Sequence, residues 1–331
     1  MTPSTGIDQV ARTLLSQRGD SLPPTLTLLP GGRNNRVWKV EAGARHYLLK
    51  QYFWSRDDPR DRLGQEWSFL TFLRQSGITA APEPLAFDAP SRCALLEFVE
   101  GTDIPPEDVT TDDVHQASQF FLAIQEHRHR EGARRLPNVS EACFSLAEHL
   151  RVTEGRMVRL QQISPSDWPE AAAFAHSELP PAWGELVKKI RSLPQSVREA
   201  VLPDDERCLS PSDFGFHNAL RPPSGTLRFL DFEYAGWDDP AKTVADFCNQ
   251  PDGLLAMPLA RIFREAACTD GPFRFPERLL ARLALLEPVY QIKWACICLN
   301  GFLPGGRMAG RRPDAQLARA REMLARAQSS L

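Results

Sequence analysis

Lysine is scarce in this chain of 331 residues: only six of its 39 basic side chains are lysine, so each position that keeps one is informative. Paired cysteine motifs are absent. Seven cysteines, an odd number, run from Cys93 to Cys298 with no Cys-x-x-Cys among them. Cys296-Ile-Cys298, the one close pair, lies in an apolar helical run, so all seven read as reduced core thiols of a cytoplasmic protein. Histidine is equally scattered. His127 and His129 sit in a Glu126-His-Arg-His-Arg run that reads as a solvated helix end, and no zinc site is expected. No stretch approaches the ~18 apolar residues of a membrane span, and the N-terminus has no basic run leading into an apolar core. Neither a membrane segment nor a secretory leader is therefore expected. With 39 basic against 42 acidic side chains and a net charge of −3, the electrostatic footprint of a nucleic-acid binder is missing.

What is present falls into two styles. Residues 6–17 have Ile7, Val10, Leu14 and Leu15 on one helical face. Short β-rich runs follow at 25–29, 36–41 and 46–52, separated by Pro30-Gly-Gly and Ala42-Gly43. A helix is expected at about 60–75, then a strand at 94–99 ending at Gly101. From about Glu107 the chain reads mainly as helix, opened by the capping pattern Thr110-x-x-Asp113 and interrupted only by a looped segment from Cys208 to Asp231. A β-rich first part over 1–101 and a mainly helical part over 102–331 are expected, enough chain for two cores.

Two constellations carry chemistry. In the first, Leu63, Trp67, Leu70 and Leu73 share a helix face with Glu66. A carboxylate turned into an apolar interface needs a cation, and Lys50, following Leu48 and Leu49 on the preceding strand, can supply it. The pair reads either as a phosphate-orienting Lys–Glu couple or as a helix-edge Glu and a snorkelling Lys. Upstream, Gly31, Gly32 and Asn35 lie in a strand–turn–strand setting that lets backbone N–H groups approach an anion, although the same pattern is an ordinary hairpin turn. In the second, Asp213 and Asn218 stand five residues apart in a loop. A hairpin follows, with Asn218 opening its first arm and Asp231 closing its second. Amide and carboxylate oxygens converge there in a set suited to Mg²⁺ with phosphate, and Asp213 is placed to take a proton from a hydroxyl. The alternative is two turn caps around a hairpin, against which an acid between Leu230 and Phe232 counts.

Asp213-x-x-x-x-Asn218 followed by Leu230-Asp-Phe-Glu-Tyr-Ala resembles the aminoglycoside phosphotransferase and choline kinase family, small-molecule relatives of the protein kinases. The resemblance extends to Gly31-Gly-x-x-Asn35-x-Val as phosphate loop, Tyr47-Leu-Leu-Lys50 as the ATP-lysine strand, Glu66 as its partner, Leu96–Gly101 as hinge and Asp239-Pro240 with Asp246 as the later acidic segment. It implies an α+β, bilobal protein-kinase-like fold. The small N-lobe over 1–101 would hold a nucleotide-binding sheet, one helix and the hinge; the helical C-lobe over 102–331 would carry the catalytic loop and metal-binding hairpin. The implied cofactors are ATP and Mg²⁺. Asp213 would be the base and Asn218 and Asp231 the metal ligands. Lys50 would hold phosphates, backbone groups around Glu97 and Val99 the adenine, and Glu233 a water-mediated metal contact. Asp246 would brace the catalytic loop. One departure stands out: where the family usually has His-Gly-Asp, this chain has Pro211-Ser212-Asp213, and His217 stands where Gly is frequent.

The expected activity is phosphate transfer to a hydroxyl of a small polar metabolite, with a non-catalytic nucleotide-binding module as the alternative. Glu287, Tyr290, Trp294 and Cys298, with Lys293 alongside, recur at helical spacing and read either as a ligand-facing stripe or as core. Neither the acidic pocket that an aminoglycoside needs nor an aromatic cage for choline is evident, which favours a sugar or an amino alcohol.

Overall fold

The computed structural model describes residues 5–30, 35–251, 255–306, 308 and 312–330. The chain forms two compact units, each assembled from separate stretches. The first comprises Met1–Pro105, Gln119–Ser140 and Pro211–Gly236, and the second Pro106–Ser118, Glu141–Ser210 and Trp237–Leu331.

The first unit is built on a five-stranded antiparallel sheet. Its strands are β1 (Thr25–Leu28), β2 (Arg36–Ala42), β3 (Arg45–Gln51), β4 (Pro84–Asp88) and β5 (Cys93–Glu97), in the order β1-β2-β3-β5-β4. Strand periodicity sends alternate side chains to opposite faces. Leu49, Cys93 and Leu95 point to one face, where Ala11, Leu14 and Leu15 of the helix Thr5–Gln17 cover them. Lys50, paired in register with Ala94, points to the other. Strand β4 has no counterpart in the sequence reading, because Pro84 reads as punctuation. The structure places this strand at the sheet edge, where a missing N–H costs no ladder bond.

The helix Arg62–Gln75 is capped by Asp61, whose side chain accepts from Gly64 N–H. It buries Leu63, Glu66, Phe69, Leu70, Phe72 and Leu73, while Trp67 stays half-buried against Phe87. The extra phenylalanines are covered because this helix also meets the 211–236 segment: Phe69 packs 5.4 Å from Phe232, ring to ring. Phe120 stacks on Phe229 at 4.7 Å and Phe214 closes on Phe229 at 5.2 Å. This aromatic cluster gives the short hairpin β6–β7 (Ala219–Arg221 and Arg228–Phe229) a fixed floor. The second arm is shorter than the sequence suggests.

The helix Thr111–Glu126 begins in the second unit with a reciprocal cap and ends in the first: Asp113 accepts from Thr110 N–H and donates its own N–H to the Thr110 hydroxyl. The long helix Pro276–Cys298 packs against Pro240–Asn249 and the terminal helix Pro313–Ser329, whose Leu317, Ala320, Met323, Leu324 and Ala327 are buried. All seven cysteines are buried free thiols. No helix among the described residues is long and apolar enough to cross a membrane.

Candidate active site

Every described residue of both constellations belongs to the first unit. Lys50 Nζ donates to Glu66 Oε2 at 2.7 Å and to Asp231 Oδ1 at 2.6 Å. Glu66 in turn accepts the N–H of Phe232 through Oε1 at 3.0 Å. One helix carboxylate thus orients the lysine and pins the main chain next to Asp231. Burial disfavours the Lys50 ammonium, but the carboxylates of Asp231, Glu66 and Glu233 outweigh it and push its pKa above the ordinary lysine value. The ion pair is therefore the state of this site at neutral pH.

The hairpin delivers the second group. Leu230 N–H donates to Asn218 C=O at 2.8 Å, continuing the β6–β7 ladder to its open end and bringing Asn218 beside the Asp231 position. Asn218 Nδ2 donates to the Asp213 carbonyl at 2.8 Å, which turns the amide oxygen away from that contact. His217 Nε2 lies 3.4 Å from Asp213 Oδ1. Two of the three non-glycine residues with positive φ among the described residues lie here, Ser212 at 65° and Asp231 at 66°. Left-handed backbone costs an L residue roughly 1–2 kcal/mol and persists only where its surroundings hold it. Position 212 is the one that the family pattern usually fills with glycine, and its φ gives the physical reason.

Asn35 also reaches this site: Nδ2 donates to Glu233 Oε2 at 2.5 Å, and Oδ1 accepts from Phe53 N–H at 3.0 Å. Gly31 and Gly32 lie outside the described residues. Glu233 is buried beside Arg62, and burial together with the Asp231 carboxylate pushes its pKa up. Its protein partners here are Asn35 and Arg62. Arg62, only 2% exposed, donates to Asp58, to the Phe53 carbonyl and to the Tyr234 hydroxyl. Sequence reasoning missed it, because an arginine at the first turn of a helix is ordinarily solvated.

The expected hinge divides in two. Glu97 N–H is already given to the Glu83 carbonyl at 2.9 Å, and its carboxylate to Arg228 at 2.7 and 3.1 Å. The Glu97 N–H is thus not open to a base. The main chain of Val99 makes no hydrogen bond to any described residue.

The donor set fits Mg²⁺. The second Asp231 oxygen and the Asn218 amide oxygen receive no hydrogen bond from any described residue. The carboxylates of Glu66, Asp231 and Glu233 outnumber the cations Lys50 and Arg62 by one. No cluster of three His, Cys, Asp or Glu side chains forms a complete metal cage among the described residues. Two oxygen donors and a surplus negative charge match a cation that takes the rest of its shell from water and phosphate.

In the second unit, the stripe on the helix Pro276–Cys298 is taken up by contacts within the protein, with Tyr290, Lys293 and Cys298 buried and Glu287 and Trp294 half-buried. Tyr290 Oη meets His149 Nδ1 at 2.6 Å, and Lys293 Nζ and Trp294 Nε1 both bond Asp246 at 2.8 Å. Glu287 takes Arg264 and Asn249. Asp246 therefore ties the helix Pro240–Asn249 to the helix Pro276–Cys298. His149, which the sequence did not single out, is fully buried between Tyr290 and Asp239.

The family model described as the phosphotransferase enzyme family, APH, matches residues 25–279. No curated protein matches the chain. Among solved structures, spectinomycin phosphotransferase in complex with ADP and spectinomycin is 14% identical, with a TM-score of 0.64 and coverage of 97% of this chain and 98% of that one. Choline kinase from Cryptosporidium parvum is 12% identical, with a TM-score of 0.61 and coverage of 99% and 98%. Ethanolamine kinase from Plasmodium vivax is 14% identical, with a TM-score of 0.60 and coverage of 100% and 92%. These likenesses establish a protein-kinase-like fold with a small antiparallel sheet and a mainly helical remainder. By its family match over residues 25–279 the chain belongs to the phosphotransferase enzyme family, APH.

Proposed function

We propose that this kinase moves the γ-phosphate of ATP, with Mg²⁺, to a hydroxyl group of a small polar metabolite such as a sugar or an amino alcohol. The observation that carries the reading is the buried Lys50–Glu66 pair closing on Asp231, with Asn218 and Asp213 supplied by one loop and hairpin. Lys50 holds the α- and β-phosphates, and the Val99 main chain faces the adenine. Asn218 and Asp231 hold the Mg²⁺, which neutralises phosphate charge when bound. Asp213 orients the acceptor hydroxyl. The hydroxyl oxygen bonds the γ-phosphorus as the bond to the ADP oxygen breaks, and the hydroxyl proton passes to the Asp213 carboxylate. Chemistry of this kind is positioning and charge neutralisation, which these side chains are arranged to give.

The relatives named for choline, ethanolamine and spectinomycin support a small hydroxylated acceptor. The test is a panel of sugars, amino alcohols and aminoglycosides assayed for acceptor-dependent ADP release. At least one is expected to release ADP in step with its own phosphorylation. Tight MgATP binding with no release from any of them would identify a nucleotide-binding module instead.

A further inference from the structure

Asp213 sits at the centre of a three-residue turn, in which Phe214 N–H bonds the Ser212 carbonyl, and its side chain is 38% exposed. A proton acceptor in phosphoryl transfer needs its carboxylate held in one orientation. The short helical turn Phe216–Asn218 contributes to holding it from two sides. Asn218 anchors the Asp213 main chain through its carbonyl at 2.8 Å, and the preceding residue, His217, meets the carboxylate at 3.4 Å. His217 is only 16% exposed, and its main chain lies in the turn, which holds its ring beside the carboxylate. Resting on the function proposed above, we infer that His217 is a positioning residue: its Nε2–H holds Asp213 Oδ1 and so aims the carboxylate at the acceptor hydroxyl.

The placement gives His217 an economical role. Successive residues of one turn divide the work: Asn218 faces the metal position and the loop main chain, and His217 faces the base. The left-handed Ser212 makes the loop dependent on such restraints, since a strained turn relaxes when its anchors are removed. A misplacement of about 1 Å in a reacting group can cost about 100-fold in rate, so a loss of about 10- to 100-fold is the expected scale when His217 is truncated.

The experiment compares wild type with His217→Ala, His217→Gln, Asp213→Asn and the double variant His217→Ala/Asp213→Asn. Turnover is read as ADP release with the best acceptor of the panel, or with water where no acceptor serves; MgATP affinity and melting temperature are measured on each. Expected are a kcat lowered about 10- to 100-fold in His217→Ala at nearly unchanged MgATP Kd, and recovery to within about 5-fold in His217→Gln, which carries an N–H donor at similar reach. In the Asp213→Asn background, removing His217 should cost nothing further. Unchanged turnover in His217→Ala while Asp213→Asn is dead would overturn the inference and leave the function standing. A loss that persists in the Asp213→Asn background, or that glutamine does not rescue, would also overturn it, marking a purely structural role. Wild-type turnover in Asp213→Asn would remove the role given to Asp213 and the inference with it, whereas MgATP binding without transfer even to water would remove the phosphotransfer reading itself.

Discussion

Lys50 Nζ and Glu66 Oε2 stand 2.7 Å apart, with side chains only 7% and 3% exposed. Two charges this deep are stable only together, and the lysine has a second carboxylate in Asp231 whereas Glu66 also accepts the Phe232 N–H and lies beside the Tyr52 hydroxyl. The two halves of the pair are therefore unequal. Lys50→Ala should destabilise the chain by about 3–5 kcal/mol, because it strands Glu66 beside Asp231 and Glu233. Glu66→Ala should cost less, roughly 1–3 kcal/mol, chiefly from the orphaned Phe232 N–H. Urea unfolding of both variants checks the order; equal costs, or the reverse order, would contradict it.

Asp231→Asn tests the metal position. At MgADP about 100-fold above Kd the wild type should gain roughly 2.7 kcal/mol of stability, seen as a thermal shift that disappears with chelator. The variant is expected to show no difference between ADP with and without Mg²⁺. A full wild-type shift would place the metal elsewhere.

Asp213→Asn keeps the shape of the side chain and removes its basicity. MgATP affinity is expected to stay within a few-fold of wild type while turnover falls by about 10²- to 10⁴-fold, the scale of a lost general base. A drop in melting temperature with turnover intact per folded molecule would make Asp213 a structural cap.

Ser212→Gly pits two terms against each other. Relief of left-handed strain at φ 65° is worth roughly 1–2 kcal/mol, and the added freedom of the unfolded chain costs about 0.4–1 kcal/mol. A net gain of between about 0 and 1.6 kcal/mol in denaturant unfolding is expected. Ser212→Val, with a branched Cβ at the same φ, should be destabilised, so finding valine tolerated and glycine harmful would show that the turn is not strained.

The pH dependence of stability should report on His149. Burial holds its pKa below the ordinary histidine value, so the folded chain keeps it neutral, taking a hydrogen bond from Tyr290 and giving one to Asp239. Burial also opposes ionising Asp239, but the His149 hydrogen bond and the Arg282 guanidinium outweigh it and hold its carboxyl at about 2. The unfolded chain protonates histidine near pH ~6.5, where the folded chain refuses the proton. This contribution to stability is therefore complete above that pH and is lost as pH falls, by up to about 1.4 kcal/mol per unit. Glutamine keeps a donor and an acceptor without titrating. The stability advantage of wild type over His149→Gln should accordingly shrink between about pH 7.5 and 5.5, and a constant difference would sink the assignment.

Periodicity and turn chemistry made much of this molecule legible from its residues. The alternation in β3 that buries Leu49 on one face sends Lys50 to the other, and helical spacing puts Glu66 on the buried side of its helix. The turn at 222–225 closes a hairpin whose arms bring Asn218 and Leu230 together. All of these are short-range consequences of backbone geometry, so the order of residues determines them.

Partner choice between distant side chains was not written there. Tyr290, Lys293 and Trp294 share one helical spacing whether they face a ligand or a core; only the packing of the helix Pro276–Cys298 on His149 and Asp246 decided for the core. Likewise Pro84 opens a strand because the sheet happens to end there, and Arg62 is buried because Asp58, Phe53 and Tyr234 surround it with acceptors. A local pattern states which face a residue occupies. Which charges and hydrogen-bonding groups meet on that face depends on contacts across more than a hundred residues, and only the tertiary structure decides whether burying them leaves each one paired.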